Sequence, residues 1–441
     1  MPNSILNKKN ASLLNSHPDG LFILFFTELW ERFSYYGMRA ILVLYLVSQT
    51  NSANPGLGWT NAEAIRLYGW YTALVYISCI PGGIIADKYL SNQKAVFFGG
   101  FLLCLGHLSL AIQSIFFFYL GLFFIILGVG LLKPSISSLV GSLYEKNDIK
   151  RDQGFTIFYI GINIGAFLAS IIVGYVGEVY GWHYGFSLAG LGMVVGQLVF
   201  LTGQKKIKSK KVKSKTLIKK NKLSEYELDR IKLIIISSFI LIIFWASFEQ
   251  AGGLMNIFTF QKTDRLIELI NFQVPASWFQ SINPLMIIAL GFYVSLFWYK
   301  LEVKKIVSSS IIKIAVGIII MGLGFVFMFF ASLEYEIYGK SSMFWLILAY
   351  LFHTIGELCA SPVILSYITK LSPKKLVSSI MGIYFAAIGI GNKLAGTIGQ
   401  YSEKLGEKSI FLGITIVCIT VGFVVILCNK KLLKLSHGVN N

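Results

Sequence analysis

The chain has 441 residues, 55% of them hydrophobic, 15% aromatic and only 14% charged. A soluble domain carries about a quarter charged residues, so the three soluble domains suggested by length are excluded and most of the chain must face lipid or other apolar helices. The net charge of +18 does not point to nucleic acid, because the basic residues fall between hydrophobic runs, where membrane topology accounts for them.

The segment from Met1 to Gly20 is polar and lacks the short apolar stretch and small-residue cleavage site of a removable leader. The first apolar run is therefore expected to be an uncleaved anchor. A spanning helix needs about 20 apolar residues. Twelve such runs begin near residues 21, 64, 95, 115, 153, 184, 231, 278, 309, 342, 378 and 409. Interruptions are expected at Pro81-Gly82-Gly83, Pro134, Pro284 and Pro362, which membrane helices tolerate where neighbours satisfy the freed backbone groups.

The longest hydrophilic stretch, Lys205 to Lys232, separates the sixth and seventh runs, and Leu223-Ser224-Glu225-Tyr226-Glu227 within it reads as the start of a short helix. The stretch is expected to be a solvated linker, because topology already requires positive charge there. With both ends inside, the inner segments hold roughly 28 Lys and Arg against about six outside, which places both termini in the cytoplasm. The implied organisation is all-α: a six-helix bundle over 1–202, a basic linker over 203–230 and a second six-helix bundle over 231–441. Two such halves describe a secondary transporter whose site lies at mid-depth between them.

A charge at the bilayer centre costs on the order of 3 kcal/mol by insertion scales, so charges kept there pair or face a wet cavity. The first run reads Thr27-Glu28-Leu29-Trp30-Glu31-Arg32-Phe33-Ser34-Tyr35-Tyr36-Gly37-Met38-Arg39. Residues 28, 32, 35/36 and 39 share one helix face and Glu31 adjoins it, a stripe able to hold a proton and an anionic group. Lys133, before Pro134 in the fourth run, lies too deep to reach the surface. It calls for a carboxylate partner, with Glu28 and Glu31 the candidates. Glu249 in the seventh run and Glu357 in the tenth add acids to the second half. One basic and one acidic wall would suit a short zwitterion. Lys393 in the eleventh run is a further cation without an evident partner, and Asp87 reads as a helix-end residue.

The five cysteines, at 79, 104, 359, 418 and 428, lie in apolar segments without metal-ligand spacing, so neither a disulfide framework nor a metal site is expected. His107 reads as a packing residue. No phosphate-binding loop, dinucleotide fingerprint or zinc-protease motif is present, which leaves no basis for an enzyme.

Taken together, these residues resemble the proton-dependent oligopeptide transporters of the major facilitator superfamily. Glu28-x-x-Glu31-Arg32-Phe33-x-Tyr35-Tyr36-Gly37 matches that family's first-helix motif. Phe158-Tyr159-Ile-Gly-Ile-Asn163-Ile-Gly165-Ala166 is similar to its fifth-helix signature, Phe279-Gln280-Ser281-Ile-Asn283-Pro284 to its eighth and Gly356-Glu357-Leu358-x-x-Ser361-Pro362 to its tenth. The resemblance implies proton-driven uptake of di- and tripeptides, with protons as the coupling ion, no cofactor, and a monomer in the bacterial inner membrane. It further implies that Arg32 and Lys133 hold the peptide carboxylate, and that Glu357 with Asn163 and Asn283 holds the amino end. Glu28 and Glu31 would couple protons, and Glu249 would be the protonatable partner of Arg39. Tyr35, Tyr36, Tyr76 and Trp245 would line side-chain pockets.

Three departures stand out. Ser91 replaces a glycine usual in the loop after Asp87, and Tyr384 replaces a tryptophan frequent in the eleventh helix. The linker is too short for the two extra helices that many bacterial members insert. Tyr384 leaves open another small solute, such as an amino acid, an anion or a peptide-like conjugate. A peptide receptor that moves nothing is a further alternative.

Overall fold

The computed structural model describes residues 17–145, 148, 150–207, 223–304, 306, 309–373 and 376–438. The first sixteen residues and most of the basic linker lie outside them. Among the described residues twelve long helices follow in chain order: α1 Asp19–Val47, α2 Asn61–Lys88, α3 Asn92–Leu110, α4 Ile115–Ser142, α5 Lys150–Val179 and α6 Trp182–Gly203 form the first half. The second half is α7 Glu225–Lys262, α8 Ala276–Val303, α9 Ser310–Tyr338, α10 Met343–Leu371, α11 Val377–Gln400 and α12 Glu407–Ser436. Ten of the twelve are long and apolar enough to cross a membrane by length and composition alone. The others are α1, which carries the charged stripe, and α11.

Local chemistry sets several starts. Thr60 and Glu63 form a reciprocal capping box at α2, and Ser224 with Glu227 does the same at α7. The seventh span therefore begins at Glu225, several residues before its apolar run, and 223–227 opens this long helix rather than a separate short one. Ser91 accepts a hydrogen bond from Lys94 N–H at the head of α3. A serine in place of glycine there supplies a cap.

Only one of the expected proline interruptions occurs: the break expected at Pro81-Gly82-Gly83 falls at Ser78, where Pro81 has no N–H to give the Ile77 carbonyl. Pro134 and Pro362 sit inside continuous helices α4 and α10, and Pro284 lies in the first turn of Ile282–Val303, where its missing N–H costs nothing. The actual breaks are at Ser78 in α2 and at the 3₁₀ turn Glu249–Ala251 with Gly252 and Gly253 in α7. Ser78 Oγ lies 2.9 Å from the Ile126 carbonyl of α4, tying the first break to a neighbour. Asp87 is exposed in the last turn of α2, whose end is closed instead by Tyr89 N–H to the Ile85 carbonyl. Four two-residue strands, Thr263–Asp264 with Ser341–Ser342 and Leu266–Ile267 with Phe272–Gln273, tie loops at one end of the second half.

Helices within each half pack on small residues, as at Gly106 against Gly121 of α3 and α4 and Gly317 against Gly356 of α9 and α10. The halves meet along α2–α11 and α5–α8, and where α1 meets the outer third of α7. Twelve crossings put both described ends on one face, here called the near face. Toward the far face the halves are joined by Asn61 with Gln261, by Ala62 N–H to Glu403, and by Glu178 of α5. Glu178 accepts from the Ala276 and Ser277 N–H groups at 2.8 Å each and from Ser277 Oγ at 2.6 Å, with Arg265 3.6 Å away. All five cysteines are free thiols, and His107 packs against Gly190 with neither ring nitrogen hydrogen-bonded.

Candidate functional site

The α1 stripe is buried as a unit: Glu28, Glu31 and Arg32 are 2%, 0% and 3% exposed. Arg32 Nε donates to Glu28 Oε1 at 2.7 Å and lies 2.8 Å from Glu31 Oε2. Two carboxylates thus share one guanidinium. Both oxygens of Glu31 and the second of Glu28 lack hydrogen bonds. Several kcal/mol of desolvation per buried ion has to be offset by such pairing, and a cluster of two acids and one base is left one positive charge short. A proton on one of the acids would restore the balance.

Lys133 does not form the expected ion pair. Its Nζ sits 3.7 Å from the centroid of the Tyr76 ring, and no carboxylate is within ion-pair distance among the described residues. The reason is competition: Arg32, on the same helix as Glu28 and Glu31, already holds both acids, and the aromatic face takes the remaining cation.

One turn beyond Tyr35 and Tyr36, Arg39 crosses to the second half. Its Nη2 lies 2.5 Å from Glu249 Oε2 in the break of α7, and both side chains are buried. Arg39 Nε donates to Tyr68 Oη at 2.6 Å, and Tyr68 donates to Glu249 Oε2 at 3.2 Å, closing a three-membered set. It closes onto a bare backbone: a Cβ on Gly252 would stand 1.9 Å from Tyr68 Oη. On α10, Glu357 accepts from Asn283 Nδ2 of α8 at 2.8 Å, and the same amide reaches Thr354 Oγ1 at 3.1 Å.

Between these groups lies a cavity of about 120 Å³ at the seam of the two halves. Tyr36, Arg39, Tyr76 and Asn163 line it from the first half, and Trp245, Glu249, Asn283 and Glu357 from the second. Asn163 donates to the Tyr159 carbonyl within α5, and Trp245 Nε1 is buried without a partner. Glu28, Glu31, Arg32, Tyr35, Lys133 and Tyr384 lie outside this wall. Tyr76 connects the two groups, since one ring face carries Lys133 while the residue lines the cavity and its centroid is 6.4 Å from that of Trp245. Arg32 lies over Tyr35 at 5.9 Å, and Tyr384 stands edge-on to Phe385.

Sequence reasoning gave no role to Tyr68, Tyr159, Gln280, Tyr350 or Thr354, although Tyr159 and Gln280 stand within the motifs it singled out. Tyr68 had a signal, because it lies eight residues before Tyr76 and so shares its helix face. The others are ordinary polar or aromatic residues whose position only the packing reveals.

Twelve helices in two bundles, closed around a charged cavity at their seam, define a secondary transporter of the major facilitator type. The chain belongs to the POT family: the model described as "POT family" matches residues 93–232 and 220–417. It is 34% identical over 455 residues to the "Peptide transporter YePEPT" of Yersinia enterocolitica subsp. palearctica, covering 87% of this chain and 88% of that protein. It is 32% identical over 499 positions to a "Di-/tripeptide transporter" of Lactococcus lactis subsp. cremoris, covering 98% and 99%. An alignment of 499 positions against a chain of 441 residues means that this relative carries segments absent here. A crystal structure of a peptide transporter POT in complex with sulfate superposes with a TM-score of 0.87 at 32% identity, covering 95% of this chain and 96% of that one. The relatives are transporters, so the protein is a multi-pass membrane transporter and not an enzyme.

Proposed function

We propose that this transporter imports di- and tripeptides together with protons by alternating access, as a monomer with both termini in the cytoplasm. The observation that carries the reading is the cavity at the seam, with Tyr76, whose ring carries Lys133, on one wall and Glu357, held by Asn283, on the other. Such opposed charges fit the two ends of a short zwitterion, and the relatives are peptide transporters.

Arg32 and Lys133 would take the peptide carboxylate once Glu28 or Glu31 accepts a proton from outside, because protonation removes the charge that now holds Arg32. Glu357, with Asn283 and Asn163, would take the amino end. Tyr35, Tyr36, Tyr76, Trp245 and Tyr384 would bound the side chains. Closure, inward opening and proton release complete the cycle, driven by the membrane potential at about 2.3 kcal/mol per charge per 100 mV plus the pH gradient. No cofactor takes part beyond the coupling proton.

In proteoliposomes, labelled dialanine uptake should rise with an inward proton gradient, and unlabelled di- and tripeptides should compete while free amino acids do not. Glu31→Gln should abolish gradient-driven accumulation. Undiminished accumulation by that variant would remove Glu31 from the coupling step.

A further inference from the structure

We propose that the lipid-facing seam between α2 and α11 binds the phosphate head of an anionic phospholipid, in the leaflet at the far face. Two cations that the transport site does not use meet there. Lys393 of α11 places Nζ 4.7 Å from the centroid of the Trp70 ring of α2 and donates to Thr397 Oγ1 at 2.8 Å. Arg66, one turn from Trp70 on the same face of α2, is exposed.

Among the described residues neither cation has a carboxylate partner, and the nearby acids are occupied. Glu63 closes the capping box with Thr60, and Glu403 accepts the Ala62 N–H. Both cations, set about the same Trp70 side chain, keep N–H groups free for an anion from outside the chain. Arg66 offers its planar donor fork, and Lys393 has ammonium hydrogens beyond the one given to Thr397, so a phosphodiester could accept from both.

The surroundings commit the anion to a lipid. Arg66, Trp70, Leu74 and Ile77 follow at helical spacing along one face of α2, and the last three are 50%, 41% and 38% exposed. Ile390 and Leu394 are likewise exposed beside Lys393. Arg66 lies ~8 Å and Lys393 ~10 Å inside the far-face ends of their helices at 1.5 Å per residue. That is headgroup depth for long snorkelling side chains, with an apolar track below for an acyl chain. The two helices touch here backbone to backbone, since a Cβ on Gly396 would lie 2.6 Å from Gly69 Cα. A lipid at this point therefore touches both halves at once.

The test uses purified full-length transporter in detergent, titrated with phosphatidylglycerol or phosphatidylcholine, with bound lipid counted by native mass spectrometry. Wild type should retain phosphatidylglycerol in preference to phosphatidylcholine. The Arg66→Gln, Lys393→Gln double variant should bind it at least about tenfold more weakly, given the contribution of each cation near a membrane surface. The charge-preserving pair Arg66→Lys, Lys393→Arg should keep the preference, which separates loss of charge from loss of fold. Undiminished preference in the Gln double variant would overturn the proposal. So would displacement of the lipid by millimolar inorganic phosphate, which would make this a site for a free anion.

Discussion

Replacing Glu249 with alanine is expected to destabilise the detergent-solubilised transporter by about 3–5 kcal/mol, the cost of leaving one member of a buried ion pair uncompensated. Arg39 is 6% exposed, with Glu249 as its carboxylate partner and Tyr68 as its other hydrogen-bond acceptor. A neutral hydrogen bond in a membrane protein averages only about 0.6 kcal/mol, so the charge dominates the loss. The paired substitution Arg39→Met, Glu249→Leu removes both charges and should recover most of the stability. It should nonetheless fail to accumulate dialanine, because it also removes the cation from the cavity wall. Thermal unfolding of the two single variants and the double variant measures the coupling. Additive costs would show that the pair is not the source of the stability.

Glu178→Ala is expected to open the far face. Its carboxylate satisfies two N–H groups and a hydroxyl at the start of α8 and sits beside the buried Arg265, so α5 of one half caps a helix of the other. Loss of a helix cap costs up to about 2 kcal/mol. Here the cost falls only on arrangements in which the halves touch at this point. A shift of that size corresponds to roughly thirtyfold in the open-to-closed ratio. A cysteine at Ser48, a buried residue lining the far-face vestibule beside Glu178, reports it. Labelling of Ser48→Cys by a membrane-impermeant maleimide should accelerate in the Glu178→Ala background. An unchanged rate would mean that the closed face is held by other contacts.

The spans were legible because membrane burial writes itself into composition, and the α1 charges because each stands out against apolar neighbours. The pairing of Arg39 with Glu249 came from a family resemblance, and the geometry agrees. Pairing argued from charge alone did less well. Lys133 was matched to acids that Arg32 holds, because sequence distance says nothing about which cation reaches them first. Pro134 and Pro362 looked like breaks, yet α4 and α10 run through them; the break foreseen at Pro81-Gly82-Gly83 does occur, at Ser78, whereas the one at the glycines after Glu249 was missed. Glu178 and Arg265 went unnoticed because a charge near a helix end looks like any solvated surface residue until the loop that folds over it is known.

Gly252 places a limit of a different kind. A Cβ there would meet Tyr68 Oη at 1.9 Å and Arg39 Nη2 at 3.1 Å. Every other amino acid adds at least that one carbon. The approach of the two halves at mid-depth therefore depends on a missing methyl group as much as on the charges it lets meet. Mutation has no conservative step available at this codon, and any side chain would act as a wedge driven between Arg39 and the helix that carries its partner.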